Sequence, residues 1–166
     1  FNHNRFSLPI YVFHLLDINN FANKINFSRY MSEEENARAN NYYFEEDRFR
    51  FQIARSSLKC ILSKFLKCHP KKIRFEQAEK GKLYLPNQNI RLDFNLSHSQ
   101  YACLFGVSFD FLIGVDIEYR TRQIDYLPLA RRFFAKTEID FLESLPLDLV
   151  PENFYKIWTG KEAFVK

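Results

Sequence analysis

One long amphipathic stretch limits the fold of this chain more than any other feature. Between Glu46 and Lys67, apolar side chains recur at intervals of three and four residues. The recurring residues are Phe51, Ala54, Leu58, Ile61 and Phe65. Such spacing puts a single apolar stripe on one side of a helix. The sequence therefore predicts one helix over this range, ended by Pro70, which cannot continue it.

Short strands and further helices surround this helix in the sequence. Period-two apolar runs predict a first strand from Ile10 to Ile18 and, after Ile73, an antiparallel meander. The strands of the meander are "IRFEQ", "LDFNLSHS", "YACLFGVSF" and "FLIGVDIEY", with a turn at Gly81-Lys82. Ser32 with Glu35 forms a capping-box pattern that predicts a helix start. Three more helices are predicted at 126–134, 136–145 (with Thr137 as its cap) and 151–166. The fold class is α+β, an antiparallel sheet packed with a long helix.

Composition excludes several classes of protein. Only 4 glycines occur, which argues against a glycine-rich phosphate loop. A net charge of +4 suits an anionic ligand but is too mild to demand nucleic acid. Cys60, Cys68 and Cys103 form no C-x-x-C pair, so we expect reduced thiols; Cys68-His69 lacks the second half of a metal site. Without a signal-peptide pattern or a spanning apolar run, the prediction is a cytoplasmic protein with no membrane contact.

Two acids stand close together in "FLIGVDIEYR". If this stretch is a strand, Asp116 and Glu118 point to the same face, roughly 7 Å apart. Ionised together they repel each other unless a cation lies between them, and Mg²⁺ prefers such oxygen ligands. The alternative is a solvated strand face that carries ordinary surface acids.

Two further motifs carry candidate functional residues. In "WTGKEAFVK", Trp158, Glu162 and Lys166 lie one above another on a helix, with Lys161 beside them. The alternative for this motif is a surface Glu–Lys pair with a core tryptophan. In "NLSHS", His98 and its neighbouring hydroxyls suit a phosphate, or are turn residues satisfied by local hydrogen bonds.

Taken in order, these motifs resemble the signature of the 4′-phosphopantetheinyl transferases, nearest to the Sfp-like branch. The stretches that carry the resemblance are "SEEENARANNYYFEEDRFRF", "GKLYLP", "NLSHS", "IGVDIE", "RRFFAKTE" and "WTGKEAFVK". It runs from about Tyr30 to the last residue. The implied enzyme is a holo-acyl-carrier-protein synthase, which moves phosphopantetheine from coenzyme A to a serine of an acyl or peptidyl carrier protein.

The resemblance also implies residue roles. The Mg²⁺ ligands are Asp116, Glu118 and Glu162, and the catalytic residues are Asp116, Glu162 as base for the serine, and Lys166. Lys161 and Lys166 hold the diphosphate of coenzyme A. The other residues implied to contact coenzyme A are Arg38, Arg50, Lys82, Ser97 and His98. Acidic carrier proteins suit a basic surface at Arg131, Arg132 and Lys136, although a solvated helix face explains these residues equally well.

Members of this branch are pseudo-dimers of two similar lobes. The implied division is an N-terminal lobe at 1–150 and the first helix of a second lobe at 151–166, with the rest of that lobe missing. We therefore expect this chain alone to be weak or inactive, and its uncovered apolar face to favour association. Two alternatives stay open: a metal-dependent phosphodiesterase or nuclease, and a non-catalytic module that binds coenzyme A or a carrier protein.

Overall fold

The order of elements alternates between helices and an antiparallel sheet. The structure, a computed structural model, describes residues 10–15, 27–79, 81–86, 90–120 and 124–166. The strands are β1 (Ile10–Leu15), β2 (Glu76–Gln77), β3 (Leu83–Tyr84), β4 (Leu92–Ser99) and β5 (Ala102–Phe109). The helices are α1 (Glu33–Asn40), α2 (Glu45–Leu66), α3 (Tyr126–Phe133), α4 (Lys136–Glu143) and α5 (Val150–Val165). The expected α+β fold class is confirmed.

Two small sheets organise the strands. The larger sheet has the order β1-β5-β4 with both pairs antiparallel, and β2 pairs with β3 around a turn at Gly81, whose φ is +89°. The predicted end of the first strand at Ile18 lies outside the described residues. The register sets Phe94 opposite Val107 and Leu96 opposite Phe105, so that β4 and β5 supply one apolar face.

That apolar face packs against α2, as the stripe on the long helix predicts. Ile53, Leu58 and Leu62 are fully buried in the same cluster as Phe94 and Val107. Complete burial of side chains of this size stabilises the fold by about 1.5–3 kcal/mol each. A second apolar cluster joins α3, α4 and α5, around the side chains of Ala130, Phe134, Leu142, Phe154 and Tyr155. None of the helices in the described part of the chain combines the length and apolar character that a bilayer span requires.

The prediction of a strand in "FLIGVDIEY" is wrong. We call residues 111–120 the acid segment; it joins no backbone ladder among the described residues. Its amides instead use side chains of β4: Ile113 N donates to Asp93 Oδ2 (2.7 Å), and Val115 N donates to Asn95 Oδ1 (2.9 Å). Along both stretches the residue numbers of these partners increase in the same direction, from Asp93 to Asn95 and from Ile113 to Val115. The acid segment therefore runs parallel to β4 and does not extend the meander. The predicted antiparallel pairing of "YACLFGVSF" with "FLIGVDIEY" is therefore also wrong.

Helix caps show one confirmation and one correction. Ser32 and Glu35 form the predicted capping box of α1, with Ser32 N donating to Glu35 Oε2 at 2.8 Å. The predicted cap at Thr137 is wrong, because α4 begins after Ala135, whose N–H donates to Glu138 Oε2 at 2.7 Å. A carboxylate that reaches back in this way satisfies a helix N–H that lacks a partner within the helix.

Candidate active site

One face of β4 is polar and holds the acid segment in place. Alternation along the strand turns Leu92 and Phe94 towards α2 and the intervening side chains to the opposite face. Those intervening residues are Asp93, Asn95, Ser97 and Ser99. All four form hydrogen bonds with residues of the acid segment.

Both acids of the segment bind to hydroxyls on this polar face. Ser97 Oγ donates to Asp116 Oδ1 at 2.8 Å, and Ser99 Oγ donates to Glu118 Oε2 at 3.2 Å. The two carboxylates therefore lean towards the same face of β4. The Asp116 side chain is only 4% exposed, and its Oδ2 is buried without a hydrogen-bond partner among the described residues.

The end of α5 packs against the acid segment and brings a lysine to Asp116. Lys166 Nζ donates to Asp116 Oδ1 at 2.5 Å and to Ser97 Oγ at 3.0 Å. This approach requires a glycine, because a Cβ on Gly114 would lie 1.8 Å from the carbonyl oxygen of Ala163. The missing side chain thus fixes how α5 meets the acid segment.

The other two predicted residues of α5 are placed differently. Lys161 Nζ lies 2.8 Å from Glu138 Oε2 and 5.6 Å from the ring centroid of Phe134. Glu162 is half-buried. In the described part of the chain, no three His, Cys, Asp or Glu side chains lie close enough to hold a metal together. The role of Glu162 as a third metal ligand, beside Asp116 and Glu118, therefore stays a prediction.

A cavity of about 430 Å³ opens beside Lys166. The described basic residues that line it are Arg38, Arg55, Lys82, His98 and Lys166. Its apolar walls include Phe51, Phe94 and Leu96, and no described lining residue carries a carboxylate. A concave, mainly apolar site with several convergent cations is suited to an organic anion.

Like Lys161 and Lys166, two further basic side chains of the predicted coenzyme A set are already paired. Lys82 Nζ donates to Asp93 Oδ2 at 2.8 Å and to the Ile113 carbonyl at 3.0 Å, so it ties the cavity wall to the acid segment. Arg50 does not line the cavity and forms ion pairs with Asp47 at 2.8 Å and Glu46 at 3.2 Å.

Burial and nearby cations both affect the pKa of His98. Partial burial lowers the pKa of His98, and the positive charges of Arg50 and Lys166 lower it further, while Asp47 acts in the opposite direction. The imidazole is thus biased towards its neutral form until an anion enters.

The basic residues proposed for a partner surface are mostly neutralised. Arg131 Nη2 lies 2.7 Å from Glu143 Oε1, and Lys136 pairs with Asp140. Such exposed pairs contribute little to stability, but they reduce the net positive charge of this face.

Sequence reasoning missed three residues of the site: Arg55, Asp93 and Asn95. A signal for each was present in the sequence. Arg55 lies four residues after Phe51 in α2, on the side that the helix buries. Asp93 and Asn95 share the alternation of "LDFNLSHS" with Ser97, which marks a polar face on a strand whose other face is apolar.

Comparison with protein families covers nearly all of the described chain. Residues 21–108 match the family described as 4′-phosphopantetheinyl transferase, N-terminal. Residues 112–166 match the 4′-phosphopantetheinyl transferase superfamily. The first match contains the cavity wall and β4, and the second contains the acid segment and α5.

Individual relatives agree with these matches. The chain is 40% identical to the 4′-phosphopantetheinyl transferase HetI of Nostoc, over 82% of this chain and 58% of the relative. It is 39% identical to a putative 4′-phosphopantetheinyl transferase of Synechocystis, slr0495, over 82% of this chain and 56% of the relative. Identity to the Bacillus subtilis transferase Sfp is 33%, over 84% of this chain and 61% of the relative. The chain thus spans a little over half the length of these relatives.

Proposed function

The chain belongs to the 4′-phosphopantetheinyl transferase superfamily, and from this membership we propose that it transfers 4′-phosphopantetheine from coenzyme A to a carrier protein. A serine hydroxyl of an acyl or peptidyl carrier protein attacks the phosphorus that bears pantetheine. The new bond is Ser O–P, the bond that breaks is the P–O bond within the diphosphate, and adenosine 3′,5′-bisphosphate leaves. The serine proton passes to a base of the protein.

The cavity beside Lys166 is the observation that carries this proposal. Coenzyme A bears a diphosphate and a separate phosphate monoester, and phosphates bind well to arginine and lysine. The cavity offers five basic side chains, and none of its described lining residues is acidic. Its volume of about 430 Å³ falls in the range of sites for cofactors of this kind.

One buried oxygen of Asp116 supports a divalent cation as part of this proposal. Asp116 presents a buried carboxylate oxygen that has no partner among the described residues. Mg²⁺ is bound by one or two carboxylates together with phosphate oxygens, so Asp116 would hold it, and Glu118 and Glu162 would have to move closer to share the ion. Bound there, the ion would neutralise charge on the diphosphate and orient the leaving group.

Side chains of the protein would supply proton transfer and charge stabilisation. Glu162 accepts the serine proton, since a free hydroxyl is a weak nucleophile at neutral pH. Lys166, which already lies between the cavity and Asp116, stabilises the charge that develops on the leaving phosphate. Lys161 first has to leave Glu138 before it can reach the diphosphate.

Mass spectrometry of an apo carrier protein incubated with coenzyme A, Mg²⁺ and this protein tests the proposal. We expect the carrier to gain one phosphopantetheine, slowly with this chain alone and faster with the chain extended by the second lobe. Glu162→Ala and Asp116→Ala should lower the rate at least about 100-fold, the usual contribution of a positioned acid or base. Glu152→Ala is the matched control, because Glu152 lies on the same helix but is paired with Lys156 at 2.7 Å. Full activity in both site variants would contradict the assigned site. Binding of coenzyme A without any mass gain would favour the non-catalytic module.

A further inference from the structure

A second cavity lies at the C-terminal end of α2. Its volume is about 640 Å³, and the described residues that line it include none that lines the cavity beside Lys166. Along the axis of α2, Ser63 in its wall lies about 12 Å from Arg55 in the wall of the first cavity, at 1.5 Å per residue. The second cavity is therefore separate from the candidate active site, and no residue of it enters the proposed function.

The wall of this second cavity is basic. Its described lining residues include no acid and four basic side chains, those of Lys64, Lys67, His69 and Lys72. None of these three lysines forms an ion pair with a described residue, whereas Lys82, Lys136 and Lys156 each have a carboxylate partner. A concave surface with unpaired cations concentrates positive potential and attracts anions.

The end of the helix explains only part of this charge. Cations near the last turn of a helix offset the partial negative charge of its carbonyls, which accounts for the two lysines that α2 contributes. Lys72, however, lies beyond the helix in the turn Pro70–Lys72, and Arg29 lies in the turn that precedes α1. Burial raises the pKa of the Cys60 thiol in the same wall, and the charges of Arg29 and Lys64 oppose that rise. Three segments of the chain thus bring positive charge to one place.

Two of the basic side chains are set by the backbone around them. His69 Nδ1 accepts the N–H of Lys71 at 3.2 Å, so Nε2 is the ring nitrogen that carries the proton and donates. Lys67 has a φ of +49° at the end of α2, a position where helices commonly place glycine. Non-glycine residues in this conformation are uncommon and cluster at functional sites.

The shape of the cavity favours a small ligand. Lysine ammonium groups and imidazole N–H groups are suitable partners for phosphate oxygens, and the volume falls in the range of small-molecule sites. The half-buried ring of Tyr30 lies 6.2 Å from that of His69 and supplies an aromatic wall for an organic group. In residues 60–75, no large apolar side chain is exposed, as insertion into a membrane would require.

We propose that this cavity is a second anion site, which binds a soluble phosphorylated molecule with at least two negative charges. Lys64, Lys67 and Lys72 neutralise the phosphate oxygens, and His69 donates a hydrogen bond from Nε2. The inference goes beyond the proposed function and does not depend on it, because the two cavities have no described lining residue in common. A protein that fails to modify a carrier protein could still bind this ligand.

Titration of the full chain with inorganic pyrophosphate, followed by NMR at about 0.15 M salt to screen distant charges, tests the assignment. The imidazole signal of His69 reports on the second cavity, and that of His98 reports on the cavity beside Lys166. We expect a saturable shift of the His69 signal. Lys64→Gln and Lys72→Gln should each weaken the affinity measured at His69 about 10-fold, the loss of one charge-assisted contact, and leave the affinity measured at His98 unchanged. A His69 signal without a saturable shift would overturn the inference.

Lys71→Gln is the matched control for Lys72→Gln. Lys71 is exposed on the same turn and does not line the cavity, so its loss should change the affinity less than about 2-fold at this salt concentration. Equal weakening by both variants would show that the anion responds only to the general charge of this face, and would overturn the site. Retention on phosphatidylglycerol vesicles through Lys64 and Lys72, without a response of His69 to pyrophosphate, would indicate a membrane surface and also overturn it.

Lys67→Gly separates a binding role from a structural one. Glycine adopts a positive φ without strain, so the thermal unfolding midpoint of Lys67→Gly should stay the same or rise, while the affinity for pyrophosphate measured at His69 should fall about 10-fold. A lower midpoint with unchanged affinity would assign Lys67 to the end of the helix and contradict its place in the site.

Discussion

At the scale of single residues, Gly114 determines how closely α5 approaches the acid segment. Gly114→Ala should lower the free energy of unfolding by about 1–3 kcal/mol, the usual cost of overpacking, because a Cβ would lie 1.8 Å from the Ala163 carbonyl oxygen. The same change should separate Lys166 from Asp116. Urea unfolding followed by circular dichroism measures the loss.

Gly160 provides the matched control for this substitution. Gly160 lies inside α5, the helix that Gly114 contacts, and a Cβ at this position would meet nothing within 4 Å. Gly160→Ala should therefore raise the free energy of unfolding by about 1 kcal/mol, the difference in helix propensity. If both alanine variants changed stability by the same amount in the same direction, the close approach at Gly114 would not be a structural constraint.

The residues of the site differ in how far the sequence predicts them. The family resemblance implies roles for Arg38, Lys82, His98 and Lys166, and the structure brings these four to one cavity. Arg55 was missed because its spacing from Phe51 places it on the buried side of α2 but does not indicate what a cation does there. Its role depends on a cavity that only the folded chain forms.

At the scale of secondary-structure elements, side chains on the polar face of β4 bind the backbone of the acid segment, as the backbone of a neighbouring strand would. Asn95 is 8% exposed and accepts the N–H of Val115 at 2.9 Å. Asn95→Ala should leave this buried N–H without a partner, at a cost of about 1–3 kcal/mol, and should loosen the segment that carries Asp116. Hydrogen exchange of the Val115 amide, measured by NMR, reports the change directly.

Ser99→Ala gives the comparison for Asn95→Ala. Ser99 Oγ accepts the N–H of Tyr119 at 2.9 Å in an exposed setting, where water can replace the lost partner. The free energy of unfolding of Ser99→Ala should therefore change by about 0.5 kcal/mol or less, and hydrogen exchange of the Val115 amide should not change. Unaltered exchange at Val115 in Asn95→Ala would show that the side chain of Asn95 does not hold the segment.

Most elements were predictable from their periodicity, and the acid segment was not. The stripe of α2 and the alternation in β4 and β5 each carry a signal within one stretch of chain, so these elements were predicted correctly. The acid segment has the composition of a buried strand. Its hydrogen bonds, however, go to side chains about 20 residues earlier, such as Asp93 for Ile113, and no local pattern encodes that choice.

At the scale of the whole molecule, the site joins parts of the chain that belong to different packing units. Lys166 extends from the end of α5, a helix of the second apolar cluster, to Asp116 and Ser97 beside the first. Large apolar side chains remain exposed near this junction, among them Leu112 (90%) and Phe164 (91%). The chain spans 58% of the length of the Nostoc relative, and weak or absent transfer by these residues alone stays a prediction.

Crystals of the protein grown with coenzyme A and Mn²⁺, measured at the manganese absorption edge, test the central claim most directly. Mn²⁺ takes the same oxygen ligands as Mg²⁺ and gives an anomalous signal. We expect one peak bonded to the carboxylate of Asp116, with the diphosphate of coenzyme A beside it and Lys166 turned towards a phosphate oxygen. Coenzyme A bound in the cavity without a peak at Asp116, and with the Lys166–Asp116 ion pair intact, would contradict the account.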